Sequence, residues 1–464
     1  MWRQSERARN RLECGEKITH KKEEEKYLPI PHILCLNLYS SKNCRDIFYC
    51  WTYYAVMEKR HLAQIAFSDD FGRQMRFIAG PRQCGKSFLA RRQLESLDMS
   101  RLYYTWDDRS IREAYRRDNR FIEHDLGNVA KQDGIHWACF DEIHKMPSWK
   151  NILKDFFDHY EERVRFIVTG SAQLDSFRRS GDSLAGRYLL FHLFPFTLRE
   201  LVRSDLPATP PEDAVDLITP IMDTVRYYPA EMDTLLAFSG FPEPFLSQKA
   251  AFQRRWKKDY VDRLIREDLR DITRIVALEN VAALMALLPS RIGSPLSINT
   301  LSGDMGVNYT SMANYVNALQ LAYVTIQLPP WSDRIARSIR KEKKCYFMDW
   351  TQVEEPAARF ENFLAINLLA WTTLLTDAGI GDFDLWYVRT RDGKESDFLI
   401  SRDRKPWLLA EAKLSAGPIA RHHMTQAEAL GDIPFIQIVR EEQIAEQRQP
   451  KAWQISASRF LGGM

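Results

Sequence analysis

Three groups of residues have types and spacings that could do chemistry. The first is Gly80-Pro81-Arg82-Gln83-Cys84-Gly85-Lys86-Ser87, followed by Phe88. Glycines at both ends of the loop let successive backbone N–H groups converge on phosphate oxygens. A helix starting there adds partial positive charge, Lys86 can reach the β- and γ-phosphates, and the Ser87 hydroxyl can ligate Mg²⁺. The second group is Asp141 and Glu142, which close the apolar run from His136 to Phe140. Asp141 would hold Mg²⁺, directly or through water, and Glu142 would polarise the attacking water. Nearby, Thr169-Gly170-Ser171 ends another apolar run, and a hydroxyl there could sense a γ-phosphate. Arg187, after a glycine-bounded loop, could stabilise charge that builds on phosphoryl transfer, in its own site or a neighbour's; a surface ion pair explains it equally well. The third group is Glu361, Asp397, Glu411 and Lys413. Glu411 and Lys413 share one face of a strand, and Asp397 on a neighbouring strand and Glu361 on a helix could meet them. Such an oxygen set suits Mg²⁺, with Lys413 orienting water. The plainer reading is an exposed Glu/Lys strand edge.

These groups need elements to position them. Phe77 to Ala79 reads as a buried strand and Phe88 to Leu94 as a helix, which puts the glycine loop between strand and helix. Further strands are predicted at Leu102–Thr105, His136–Asp141 and Val164–Val168, with a charged helix from Ile111 to Phe121. Strands alternating with helices indicate a parallel α/β sheet, whose ligands bind at the carboxyl ends of the strands. The loop and the acid pair should therefore meet on one edge. Prolines crowd residues 205–245, read as a linker and short helices forming a lid. A long helix is expected over Ala251–Val276, with Trp256, Tyr260, Leu264 and Leu269 on its apolar face. Helix, Ile298–Met305, a turn at Gly306 and Thr310–Leu321 suggest a winged helix-turn-helix. No Lys or Arg occurs from Ile292 to Asp333, so that stretch cannot neutralise phosphates and suits packing or protein contact better than DNA. The basic run Arg334, Arg337, Arg340, Lys341, Lys343 and Lys344 could still touch a nucleic-acid backbone. A helix at Phe360–Leu375, strands at Leu385–Thr390, Ser396–Ile400 and Trp407–Lys413, and a turn at Asp392-Gly393 complete the chain.

The 464 residues, 45% of them apolar, are enough for about three domains. A formal net charge of +3 does not single out nucleic acid as a partner. Seven cysteines form no CxxC pair, and free thiols point to a reducing, cytoplasmic setting. Cys14, Cys35, Cys44 and Cys50 lack the paired spacing of a zinc site. No apolar run is long enough for a membrane span, and no export signal is evident. Residues 1–56 differ from the rest, and Met57 looks like a second start, so this extension is expected to be disordered or not native.

The set GPRQCGKS, CFDEIH, VTGS, LAGRY and FPFTLREL resembles a widespread prokaryotic family of AAA-type P-loop ATPases. Its members usually carry a C-terminal restriction-endonuclease-like domain, and the Asp397…Glu411-x-Lys413 set resembles the core of such nucleases. The resemblance implies Lys86 and Ser87 for nucleotide and Mg²⁺, Asp141 and Glu142 for hydrolysis, and Ser171 as sensor. Cys84 departs from the family, which more often has an apolar residue there; its thiol could be oxidised. The expected fold is α/β: a P-loop ATPase core over 57–205, a helical lid over 206–280, a winged-helix-like module over 281–345 and a nuclease-like domain over 346–464. Two functions follow as expectations: an ATPase controlling a DNA-cleaving domain, or a nucleotide-driven switch whose inactive nuclease-like domain grips DNA or protein. Self-assembly or a protein partner through the winged helix is also implied. A small-molecule kinase fits the acid pair less well.

Overall fold

The computed structural model describes residues 60–118, 120–170, 184–223, 226–269, 277–332 and 342–464. The 1–56 extension, Ser171 and the basic positions 334–341 lie outside the described residues. The predicted parallel sheet forms from β1 (Met75–Ala79), β2 (Tyr103–Thr105), β3 (His136–Asp141), β4 (Val164–Thr169) and β5 (Tyr188–His192). Its order is β2-β3-β4-β1-β5, and every pair is parallel. All residues of β1 and β3 are buried, as expected for strands covered on both faces. Phe140 stacks on Tyr104, Phe156 and Phe166, which ties the sheet to the Trp149–Tyr160 helix.

The charged helix predicted over 111–121 is two helices, Arg109–Arg117 and Phe121–Val129. Asp108 caps the first by accepting from Ser110 N–H at 2.7 Å. The lid region holds helices Ala214–Asp223, Pro229–Phe238, Pro242–Ser247 and Ala250–Arg263, the last running into a wider turn over Leu264–Asp268. Trp256, Tyr260, Leu264 and Leu269 are buried, as their spacing requires. Helices Leu278–Leu287, Ile298–Met305 and Tyr309–Leu321 follow, with Gly306 left-handed at the turn. An antiparallel sheet β6-β8-β7 lies beside them, built from β6 (Pro295–Leu296), β7 (Thr325–Leu328) and β8 (Lys343–Phe347).

The last sheet has the order β13-β14-β12-β11-β10-β9. Its strands are β9 (Phe383–Arg389), β10 (Glu395–Arg402), β11 (Lys405–Lys413), β12 (Phe435–Val439), β13 (Ala445–Gln449) and β14 (Ala452–Ser456). β9, β10 and β11 are antiparallel, whereas β11, β12 and β14 run parallel.

One helix, Pro356–Asp377, joins these parts. It is apolar on most sides and packs on β5, β8, β9 and β11, so it is a core helix rather than a surface one. Its buried polar residues satisfy backbone groups elsewhere. Asn362 accepts from Phe347 N–H at 2.8 Å and donates to Phe347 O at 2.7 Å. Asn367 accepts from Leu198 N–H at 3.0 Å. Asp377 accepts from His192 N–H at 2.7 Å, with the His192 ring 3.1 Å away. Asn362→Ala orphans two buried backbone groups, so chemical denaturation should show a loss of about 2–4 kcal/mol. A loss below about 0.5 kcal/mol would mean that this joint carries no load.

Candidate functional site

The glycine loop leaves β1 at its carboxyl end. Gly80 has φ +143°, and a Cβ there would lie 2.1 Å from Leu193 O, so only glycine fits. Gly85 (φ +102°) and Gln83 (φ +64°) complete the curl, and the Lys86–Ser96 helix starts directly after it. Lys86 is buried, with Nζ donating to Gly80 O at 2.9 Å and Pro81 O at 2.7 Å. Its ammonium thus sits inside the curl, on carbonyls that an incoming phosphate can replace. Cys84 is fully buried and its thiol lies 3.5 Å from Leu193 O. The expected oxidation site is corrected: that sulfur is shielded behind the loop.

Asp141 lies at the end of β3, and the sheet brings it to the loop as the sequence required. Ser87 Oγ donates to Asp141 Oδ1 at 3.1 Å. Thr169, at the end of β4, and Tyr103, on β2, also donate to this buried carboxylate. Burial, then the neighbouring Asp141 charge, pushes the Tyr103 hydroxyl up, so it remains a donor. The donors are all neutral hydroxyls. With Ser87 among them, they form a hard-oxygen corner suited to Mg²⁺. Glu142 is left-handed (φ 54°), which turns it out of line with Asp141. Its carboxylate lies 3.4 Å from His144 Nε2 and 3.5 Å from Lys145 Nζ.

The structure does not bring Arg187 to this corner. Arg187 O accepts from Met75 N–H at the start of β1, the end of the sheet opposite the loop. Its guanidinium pairs with Asp158 at 2.7 and 3.0 Å. The surface ion pair is therefore what the fold builds, and action on its own loop is corrected on distance.

Residues that sequence reasoning missed surround the corner. Of the two hydroxyls in Thr169-Gly170-Ser171, the resemblance points to Ser171, whereas Thr169 is the one that meets Asp141. Arg263, at the end of the Ala250–Arg263 helix, reaches Gln83: with the amide oxygen facing it, Gln83 accepts from Nη1 and Nη2 at 3.3 and 3.2 Å. Arg60, 1% exposed, pairs with Glu200 at 3.1 Å behind the loop and donates to Cys84 O at 3.4 Å. A Glu three residues after Thr197 was the readable signal for Glu200, because the two form a capping box.

The third group does converge. Glu361, Asp397, Glu411 and Lys413 line a cleft of about 310 Å³ with Gly293 and Ser294. The register between β9 and β10 shifts between Ser396 and Leu399, a bulge of the kind that re-aims side chains. The oxygen cage expected there is corrected, because Lys344, from β8 and 0% exposed, enters it. Its Nζ lies 2.9 Å from Asp397, 3.1 Å from Glu395 and 3.2 Å from Glu361. Tyr346 also donates to Glu361 at 2.7 Å, and Lys413 Nζ is 2.7 Å from Glu411. Among the described residues no cluster of His, Cys, Asp and Glu is built to hold a metal. Lys344, read in sequence as part of a basic surface run, alternates with Tyr346 on a buried strand, and that alternation was the signal for it.

Three of these carboxylates, Glu361, Asp397 and Glu411, thus line the cleft. Burial, then Asp397, pushes Glu411 up to about 8 and Glu361 to about 7. Against the same burial, Lys344 holds Asp397 below its ordinary value. Glu361 and Glu411 bind protons more tightly folded than unfolded, so their contribution to stability is full below about 4.5 and lost as pH rises through 7 to 8. The melting temperature should fall from pH 6 to 8.5, and Glu411→Gln should flatten that fall. An unchanged slope in the variant would refute the assignment.

Comparison with known proteins bears on both halves. Residues 72–202 match the model of an AAA domain, and residues 230–351 that of a domain of unknown function, DUF8612. Uncharacterized proteins of Mycobacterium bovis and Mycobacterium tuberculosis are each 22% identical over 352 residues, covering 74% of this chain and 71% of the relative. Among solved structures, AMPPCP-bound DnaA from Aquifex aeolicus aligns at TM-score 0.27 and 12% identity, over 57% of this chain and 86% of that one. Cdc6p from Pyrobaculum aerophilum aligns at TM-score 0.24 and 13% identity, over 58% and 86%. No helix among the described residues is long and apolar enough to cross a membrane. The stretch that matches the AAA-domain model, residues 72–202, holds the glycine loop, Asp141 and Glu142.

Proposed function

We propose that this chain binds and hydrolyses ATP with Mg²⁺ at the glycine loop and works as a nucleotide-driven switch. The observation that carries the reading is the convergence of buried Lys86, Ser87 and a hydroxyl-held Asp141 at one sheet edge. Bound there, Mg²⁺ would neutralise phosphate charge, with Ser87 and Asp141 as the residues that hold it. Lys86 exchanges the Gly80 and Pro81 carbonyls for phosphate oxygens. Glu142, freed from His144 and Lys145, orients water. Arg263 reads the loop from the lid through Gln83. The Ser171 hydroxyl, which follows Thr169 and Gly170 in sequence, remains a candidate sensor.

A path for transmission supports the switch. Leu193 abuts Gly80, and the adjacent His192 is bonded to Asp377 at the end of the core helix. That helix carries Glu361 near its other end, at the acidic cleft. The helical module with sheet β6-β8-β7 is read as winged-helix-like, and β9 to β11 with Asp397, Glu411 and Lys413 as a nuclease-like scaffold. Between cleaving and gripping, the lysine inside the cleft favours gripping, with DNA or a protein as the partner and further copies of this chain as a third arrangement. The setting is read as cytoplasmic, with no membrane partner.

Phosphate release is the test. Lys86→Ala and Asp141→Asn should each lower kcat/KM for ATP by about a hundredfold or more with circular dichroism unchanged. Turnover at the wild-type level in either variant would overturn the site. On plasmid DNA with Mg²⁺, the gripping reading expects retardation without nicking; nicking that Glu411→Ala and Lys413→Ala abolish would restore the cleaving one.

A further inference from the structure

The nuclease-like resemblance asks for Mg²⁺ in the acidic cleft, and the donor set there does not fit it. Mg²⁺ takes one or two carboxylates at about 2.1 Å and keeps several of its waters, so the fit turns on whether a cation already sits among those oxygens. Five of the six carboxylate oxygens of Glu361, Asp397 and Glu411 already accept protein donors. Asp397 Oδ1 takes Lys344 Nζ at 2.9 Å, and Oδ2 takes Ala412 N–H at 3.0 Å. Glu411 Oε1 takes Lys413 Nζ at 2.7 Å, and Oε2 takes Asp397 N–H at 3.1 Å. Glu361 Oε1 takes Tyr346 at 2.7 Å and Lys344 at 3.2 Å. The remaining oxygen, Glu361 Oε2, faces Gly293, where even a Cβ would approach to 2.7 Å. An ammonium has three N–H donors in a compact head, and Lys344 meets three carboxylates, Glu361, Glu395 and Asp397.

We infer that Lys344 is the built-in cation of this cleft, standing where a nuclease would keep its metal, and that the native chain takes no divalent ion there. The charge arrives with the fold rather than from solution. It also joins two modules, because Lys344 belongs to the β6-β8-β7 sheet whereas Asp397 and Glu395 belong to the C-terminal sheet. The cleft is an ion-paired joint and does not cut phosphodiesters. This holds whatever the glycine loop binds.

Binding of Mn²⁺ to the full chain, without nucleotide, tests it by the electron paramagnetic resonance of the free ion. Wild type and Asp397→Asn should bind the same number of ions, since any ion at the glycine loop is common to both. Lys344→Met, which keeps bulk and removes charge, should gain one Mn²⁺ per chain, and Lys344→Met with Asp397→Asn should lose it again. The inference is overturned by a wild-type ion that Asp397→Asn abolishes, or by a folded Lys344→Met that gains none. Should Lys344→Met fail to fold, the comparison of wild type with Asp397→Asn decides alone.

Discussion

Gly80 and Leu193 approach each other more closely than any side chain allows. That contact presses the glycine loop against the end of β5, and the next link follows within one residue, where His192 meets Asp377. A loop that shifts on binding phosphate cannot move without involving β5. β5 in turn cannot move without the core helix, whose asparagines hold the Leu198 and Phe347 backbones. One steric constraint thus couples the loop to a rigid element of about 30 Å, at 1.5 Å per residue.

The molecule treats its two carboxylate clusters in opposite ways. Asp141 is gripped by Ser87, Thr169 and Tyr103, which donate hydrogen bonds but carry no charge. Asp397 is gripped by a fully buried ammonium, so its charge is already answered. Cutting out one member of such a buried set costs several kcal/mol because the others are left uncompensated. The first is a ring of hydroxyls around one carboxylate, and the second carries a cation of its own.

Much of this was legible in the chain. Short apolar runs at Phe77, Ala138 and Phe166 located three parallel strands, and the Gly80–Ser87 spacing located the loop. Glu361, Asp397, Glu411 and Lys413 were brought together as their alternation on strands and helix required. What escaped depends on tertiary pairing. Nothing near Lys344 in sequence says that a strand from another sheet delivers it to Asp397. Beside its glycines Arg187 fitted catalysis and a surface ion pair equally well, and β5, parallel to β1, leaves it at the end of the sheet away from the loop. The helix predicted over 111–121 breaks near Asp118, whose backbone is extended (φ −144°, ψ 101°).

The central claim is that a curl of amides around Lys86, faced by Asp141, accepts a magnesium-bound triphosphate. Titration calorimetry of the full chain with ATP, with Mg²⁺ and then with EDTA, tests it most directly. The account predicts one saturable site per chain whose affinity drops when Mg²⁺ is removed. Absence of binding heat with ATP and Mg²⁺ at any temperature tried would contradict it.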